Sequence, residues 1–160
     1  MHKRLFLSVV AAAVLVGCAT RPAPTLPPMS AEQTSKRQDI VLQAMAMLDR
    51  GYTYGGKKLH TGFDCSGLVS FVYKESAGMS VRGNAETMAR NTRAVSASQA
   101  RPGDLVFFNT LGHSASHVGI YIGSGKFIHA ANEKTGVKLE RLDAPYWRQA
   151  FEGYRTAFSD

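Results

Sequence analysis

Apolar side chains recur along this chain at two spacings, one typical of helices and one typical of strands. The clearest helical pattern follows Asp64, a residue type that favours the N-cap position. Apolar residues then occupy the i, i+1, i+3 and i+4 positions of one helical face: Leu68, Val69, Phe71 and Val72. The pattern predicts a helix that carries Cys65 in its first turn.

Two further helices are predicted. The first begins at Ser30 or Thr34 and runs to about Arg50, with Gly51 just past its end. Its apolar face consists of Ile40, Val41, Ala44, Met47 and Leu48. A short helix is predicted over residues 85–90, within a polar stretch (78–100) that is otherwise unassigned.

Strand patterns fill the second half of the chain. The turn formers Arg101-Pro102-Gly103-Asp104 precede a buried strand over residues 105–108. A loop over residues 109–116 follows. A third-strand pattern lies around residues 137–139, and a polar and aromatic tail occupies residues 145–155.

Residues 117–122 and 126–130 alternate as the two strands of a hairpin, with turn residues at 123–125. A three-residue loop places Ile122 opposite Lys126 and Gly119 opposite His129. His117 and His129 then lie on the same sheet face as diagonal neighbours, roughly 7–8 Å apart at the backbone. Two imidazoles can meet across that separation.

The N-terminus has the pattern of an export signal. A short basic stretch precedes an apolar run over residues 5–16, which is too short to span a bilayer. The end of this run resembles a bacterial lipobox, which predicts cleavage before Cys18 and its lipidation. The alternatives are an uncleaved anchor helix and an ordinary signal peptide. Ala19 favours the periplasmic face of the outer membrane if the host is Gram-negative.

The predicted organisation is a signal peptide over residues 1–17, a lipidated cysteine with a proline-rich tether over 18–30, and one domain over 31–160. A hydrophobic content of 44% excludes a disordered chain. The formal net charge is +7; loss of Lys3 and Arg4 with the signal leaves 17 basic and 12 acidic residues, a charge of +5. This charge weakly favours an anionic partner.

Cys65 is the candidate for chemistry. A lipidated Cys18 cannot form a disulfide, so Cys65 would be a free thiol in an oxidising compartment. The start of a helix lowers a cysteine pKa and favours the nucleophilic thiolate. A thiolate, a histidine that accepts its proton and a second polar group that orients this histidine form a triad for acyl transfer, and Cys65, His117 and His129 are the candidate parts. The alternative is a buried cysteine that packs as a small hydrophobe.

Five short runs within residues 38–156 stand out by their order and spacing. They are Tyr54-Gly55-Gly56, Asp64-Cys65-Ser66-Gly67-Leu68-Val69, Pro102-Gly103-Asp104-Leu105-Val106-Phe107-Phe108, His117-Val118-Gly119-Ile120-Tyr121-Ile122-Gly123 and Phe127-Ile128-His129-Ala130. Together they resemble the NlpC family of papain-like cell-wall peptidases. The resemblance implies an α+β fold, with the cysteine helix packed on a small antiparallel sheet, and hydrolysis of peptide bonds in peptidoglycan stems.

The resemblance also implies roles for individual residues. Cys65 is the nucleophile, His117 the base and His129 the orienting residue, with no metal and no cofactor. Tyr54 matches a tyrosine that lines the site and donates to the developing oxyanion. Asp64 and Ser66 shape the turn and present backbone N–H groups. Arg82 is expected to hold substrate carboxylates, although Val81 stands where many members have proline.

The resemblance implies stem peptides as partners, while the lipobox predicts membrane attachment through Cys18. No nucleic acid partner is expected, and the protein is expected to be a monomer. The bond cut remains open between D-glutamyl-diaminopimelate and the D-alanyl-diaminopimelate crosslink. Three alternatives remain: a non-catalytic wall-binding lipoprotein on the same fold, acyl or amide transfer, and a metal site of Cys65, His117 and His129. The last lacks a paired-cysteine spacing.

Overall fold

Helices and strands are mixed along the chain, which confirms the predicted α+β class. The computed structural model describes residues 28–159, so the predicted signal, Cys18 and most of the tether lie outside the described residues. The elements in order are α1 (Ala31–Ala46), β1 (Lys57–Lys58), β2 (Gly62–Phe63), α2 (Cys65–Ala77), α3 (Ala85–Arg90), β3 (Arg93–Val95), β4 (Leu105–Phe108), β5 (His117–Gly123), β6 (Lys126–Asn132), β7 (Gly136–Arg141), α4 (Pro145–Ala150) and β8 (Phe151–Thr156).

Six strands form one antiparallel sheet in the order β3-β8-β4-β5-β6-β7. The tail that the sequence left unassigned supplies α4 and β8, and β8 lies between β3 and β4. β1 and β2 form a separate two-stranded hairpin. The predicted short helix is confirmed as α3, and the predicted strands over 105–108 and 137–139 are confirmed as β4 and β7.

Helix α1 begins where the sequence predicts but ends earlier. Ser30 is the N-cap, and its Oγ accepts a hydrogen bond from Gln33 N at 3.1 Å. The predicted end near Arg50 is wrong, because the helix stops at Ala46. Asp49 turns to a φ of +65° and its N–H donates to Val137 O at 3.0 Å, so the chain leaves the helix to join β7. Three residues of the predicted face are buried and two are half-buried: Ile40, Ala44 and Met47, then Val41 and Leu48.

The hairpin of β5 and β6 keeps the predicted register with a different turn. Ile120 lies opposite Ile128, as predicted, but Gly123 rather than Ile122 lies opposite Lys126. The predicted three-residue loop is therefore wrong: the turn has two residues, Ser124 and Gly125, whose φ values are +52° and +68°. Positive φ at both positions suits the twist of a tight hairpin. A bulge between Tyr121 and Gly123 accommodates the extra residue.

The sheet is covered on both faces. One face packs with α1 and α2 into the main core, and the other carries a smaller cluster around Phe108, Phe127 and Trp147. A buried ion pair between Arg37 and Asp104, with Nη1 and Oδ1 2.8 Å apart, ties α1 to the start of β4. The described part of the chain contains no helix of the length and hydropathy needed to cross a membrane.

Candidate active site

The first turn of α2 is built around the Asp64 carboxylate. Its Oδ1 accepts hydrogen bonds from Gly67 N at 2.6 Å and Ser66 Oγ at 3.0 Å. Its Oδ2 accepts from Gly55 N at 3.0 Å. Asp64 is the N-cap and Cys65 is the first helical residue, as predicted. These bonds give Asp64 and Ser66 the turn-shaping role that the sequence indicated for them.

The glycine-rich loop before β1 lies directly against this turn. Asp64 N donates to Gly56 O at 3.1 Å, and a Cβ added to Gly67 would lie only 1.9 Å from the same oxygen. A side chain at Gly67 would therefore push the loop away from the helix. The close approach of loop and helix holds the segment before Cys65 in place.

His117 and His129 meet as the register of the hairpin predicts. His117 Nε2 lies 2.8 Å from His129 Nδ1, and the two side chains are 9% and 1% exposed. Gly119, on the neighbouring strand, makes room for Phe127: a Cβ added there would lie 2.8 Å from the Phe127 ring, whereas its 3.4 Å distance from the Cβ of His129 is an ordinary contact. Cys65 lies near this pair, because the backbone N–H of Val118, the residue after His117, is close enough to lower the pKa of its thiol.

An aromatic wall covers the two histidines. Trp147 of α4 stacks on His117 at 5.8 Å between ring centroids and meets His129 edge to face at 4.8 Å. Burial lowers the pKa of His117 to about 4, although nearby Asp64 acts in the opposite direction. Burial, with the neighbouring His117 and Lys138, lowers the pKa of His129 to about 2. Both rings are therefore neutral at pH 7.

One tautomer of this contact gives His117 the free lone pair that base catalysis requires. When His117 Nε2–H donates to His129 Nδ1, the Nδ1 of His117 keeps a lone pair that can take the thiol proton. His129 then carries its own proton on Nε2, a buried atom without a hydrogen-bond partner. The edge-to-face packing of Trp147 against this ring is the kind of contact in which an aromatic face receives an N–H weakly.

The acidity of Cys65 differs from the sequence prediction. Burial raises the pKa of the thiol, and the Asp64 carboxylate adds to the increase. Backbone N–H groups of Val118, Ser66 and Cys65 lower the pKa but do not offset burial. The helix start therefore does not by itself produce a resting thiolate. Cys65 and neutral His117 form a thiol–imidazole pair in which the proton moves during attack.

Tyr52, two residues before the predicted Tyr54, is a half-buried tyrosine of the same loop within electrostatic range of the nucleophile. Tyr54 is 88% exposed. Burial is the first cause of a raised pKa at Tyr52, and the charges of Cys65 and Asp64 are the next causes, so its hydroxyl lies within electrostatic range of the thiol. A β-bridge from Tyr52 to Phe63 holds it there. The sequence signal for Tyr52 was its place in the same glycine-rich loop, two residues before Tyr54.

We expect Tyr52→Phe to lower kcat by about tenfold to a hundredfold, because it removes a candidate hydroxyl donor to the oxyanion. Tyr54→Phe in the same loop is the matched control and should leave kcat within a factor of two. Steady-state kinetics on one substrate give both values. A larger loss for Tyr54→Phe than for Tyr52→Phe would restore the original assignment.

The remaining basic candidates lie away from this centre. Arg82 follows the C-terminal end of α2 and lines a separate cleft with Lys57, Lys58 and Lys74. His60 and His113 are exposed. Among residues 28–159, no three histidine, cysteine or acidic side chains are grouped to hold a metal ion. The metal alternative also conflicts with the geometry, since His117 and His129 direct one ring nitrogen at each other.

A thiol at a helix start, a neutral histidine and a second histidine bonded to it define a cysteine nucleophile site of the type used for acyl transfer. Residues 49–156 match the NlpC/P60 family. The chain therefore belongs to the NlpC/P60 family, as the sequence motifs indicated.

Several characterised proteins resemble the chain. The murein DD-endopeptidase MepH of Escherichia coli (strain K12) is 37% identical over 69% of this chain and 42% of its own length. The gamma-DL-glutamyl hydrolase of Bacillus subtilis (strain 168) is 33% identical over 79% of this chain and 31% of its own length. The chain thus spans less than half of either relative.

Solved structures show the same fold. A crystal structure from Staphylococcus aureus, of a protein described as similar to a lipoprotein of the NLP/P60 family, aligns with a TM-score of 0.69 at 31% identity. The alignment covers 88% of this chain and 46% of that one.

Proposed function

We propose that this protein is a cysteine endopeptidase that hydrolyses peptide bonds in the stem peptides or crosslinks of peptidoglycan. The observation that carries the proposal is the 2.8 Å contact between His117 and His129, beside a thiol at the start of α2. The names of the relatives, a murein DD-endopeptidase and a gamma-DL-glutamyl hydrolase, support the substrate class. A non-catalytic binding protein would not require this arrangement.

The geometry supports a two-step mechanism. Nδ1 of His117 takes the thiol proton as the Cys65 sulfur attacks the scissile carbonyl carbon, which leaves a tetrahedral oxyanion. The backbone N–H groups at the helix start and the Tyr52 hydroxyl are the candidate donors to that oxyanion. His117 then gives its proton to the departing amine, and a thioester remains on Cys65.

Water completes the cycle. His117, again neutral, takes a proton from a water molecule that attacks the thioester, and the C–S bond breaks to release a carboxylic acid and the thiol. His129 keeps the His117 ring oriented through both steps. Trp147 excludes bulk water from the bond between the two rings.

Product masses test the proposal. The full-length chain in detergent is incubated with purified crosslinked muropeptides, beside the Cys65→Ala variant. Conversion of dimers to monomers identifies a crosslink endopeptidase, whereas shortened stems identify cleavage at the D-glutamyl bond. Absence of any product from the folded wild-type chain would favour the wall-binding alternative, and an amine adduct in place of the free acid would favour acyl transfer.

We further propose that Cys18 carries lipid and holds the enzyme at the periplasmic face of the outer membrane. The lipobox-like sequence before Cys18 and the lipoprotein-like S. aureus structure support this proposal. Cells that express the wild-type chain should incorporate labelled palmitate into it, and the Cys18→Ala variant should not. Equal labelling of the two proteins would contradict the anchor.

A further inference from the structure

A concave surface lies along α2, away from the nucleophile. It is a cleft of about 670 Å³ between the β1–β2 hairpin, the outward side of α2 and residues 78–83. Four cationic side chains line it: Lys57, Lys58, Lys74 and Arg82. We call it the basic cleft. The mechanism above uses none of these four residues.

The positive charge of the basic cleft is not neutralised within residues 28–159. Its four cationic side chains are exposed, and none of them forms an ion pair with the described carboxylates. Glu75 is the acidic residue of its lining. Elsewhere, five cationic side chains each contact a carboxylate at 2.8 Å or less: Lys36, Arg37, Arg90, Lys138 and Arg141. Cationic groups gathered in one concavity attract an anionic ligand.

The lining of the cleft also has an apolar part. Phe71 is half-buried, Val81 is buried and Leu59 is 46% exposed. A ligand that combines carboxylates with short apolar side chains matches both features. An acidic peptide has this chemistry, whereas a polyphosphate chain offers nothing to the apolar part.

The position of the cleft relates it to the reacting bond. Lys74 follows Cys65 by nine residues in the same helix, which corresponds to about 14 Å along the axis. An extended peptide covers roughly 3.4 Å per residue, so the offset along the axis alone takes about four residues. Nine residues are two and a half helical turns, so Lys74 lies on the opposite side of α2 from Cys65, and a peptide that reaches both must be longer than that. The glycine-rich loop that leads into the β1–β2 hairpin packs against the first turn of α2, so one hairpin borders both places.

We propose that the basic cleft is a second substrate-binding site, which holds carboxylates of an acidic peptide segment more than four residues from the bond that is cut. This assignment rests on the proposed function. It predicts that a crosslinked peptide, long enough to reach from Cys65 to the cleft, binds more tightly than a short stem. The cleft would then select for substrate length and charge without taking part in the chemistry.

Binding to an inactive chain tests the assignment without turnover. Calorimetric titration of full-length Cys65→Ala with a crosslinked muropeptide dimer gives a Kd. In this Cys65→Ala background, Lys74→Glu or Arg82→Glu should each raise the Kd about fivefold to tenfold, because each substitution replaces attraction of the ligand by repulsion. Lys126→Glu changes the charge equally, lies in β6 outside the cleft lining, and should leave the Kd unchanged. Raising the salt concentration should weaken binding most in the chain with an intact cleft.

The outcomes are separable. Equal Kd values for Lys74→Glu, Arg82→Glu and Lys126→Glu would overturn the assignment, as would equal losses for the dimer and for a short stem. Lys74-dependent binding of anionic phospholipid vesicles without binding of the dimer would overturn it in favour of a lipid surface. Arg82→Glu, in a surface segment, keeps the test available if Lys74→Glu unfolds. Because Cys65→Ala reports binding alone, an absence of hydrolysis by the wild type would count against the proposed function and not against the cleft.

Discussion

Replacement of Cys65 by alanine should reduce hydrolysis of muropeptides to background while the domain stays folded. The thiol is the group that forms the covalent bond, so its removal is expected to cost on the order of 10⁶ in kcat, as for other nucleophiles that act with a histidine. Alanine leaves intact the Asp64 carboxylate and its hydrogen bonds, which shape the helix start. Product analysis by mass and a thermal unfolding curve measure the two effects.

Cys65→Ser refines this prediction. A hydroxyl is a much poorer nucleophile than a thiol and needs a stronger base, while burial holds the pKa of His117 near 4. The serine variant should therefore also be inactive, although it keeps the shape of the site. Turnover by either variant above one-thousandth of the wild-type rate would contradict a mechanism through Cys65.

His117→Ala is expected to lower kcat/KM by about 10² to 10⁴, the range of general acid–base catalysis. His129→Ala should lower kcat/KM by less, because His117 remains as the base and loses only the partner that orients its ring. His113→Ala, at an exposed position in the loop before β5, is the matched control and should be neutral. Wild-type activity in His117→Ala would refute its assignment as the base.

The pH dependence of kcat/KM should reflect the burial of His117 and His129. Burial lowers the pKa of His117 to about 4, so the neutral base persists in acid and the acid limb of kcat/KM should lie near pH 4. In His129→Ala, water enters beside His117 and the limb should move up toward pH 6.5, the ordinary histidine value. An unchanged limb in that variant would argue against a dehydrated pair.

The free energy of unfolding should decrease as the pH falls, for the same reason. The unfolded chain binds a proton at His117 near pH 6.5, whereas the folded chain binds it only near pH 4. The unfolded state therefore holds more protons between these values, and His117 contributes a loss of stability as the pH falls through that window. Urea unfolding midpoints at pH 7 and pH 5 measure it, and the difference should shrink in His117→Ala.

Local pattern determined much of this protein. The apolar spacing after Asp64 predicted α2 with Cys65 at its start, and the alternation on either side of residues 123–125 predicted a register that brings His117 to His129. Helix face, N-cap and strand pairing depend on neighbours a few residues apart, so the sequence contains them directly. The predicted length of the turn was wrong because a bulge accommodates one residue without changing the register of the strands beyond it.

Other features depend on contacts between distant segments, and only the tertiary structure decided them. The position of β8 is set by its pairing with β3 and β4. The residue pattern of the tail alone does not indicate these partners. The raised pKa of Cys65 and the choice of Tyr52 over Tyr54 follow from which groups become buried when the loop, helix and sheet meet. Desolvation is a property of the assembled surroundings, so the sequence could indicate the candidate residues but not their protonation.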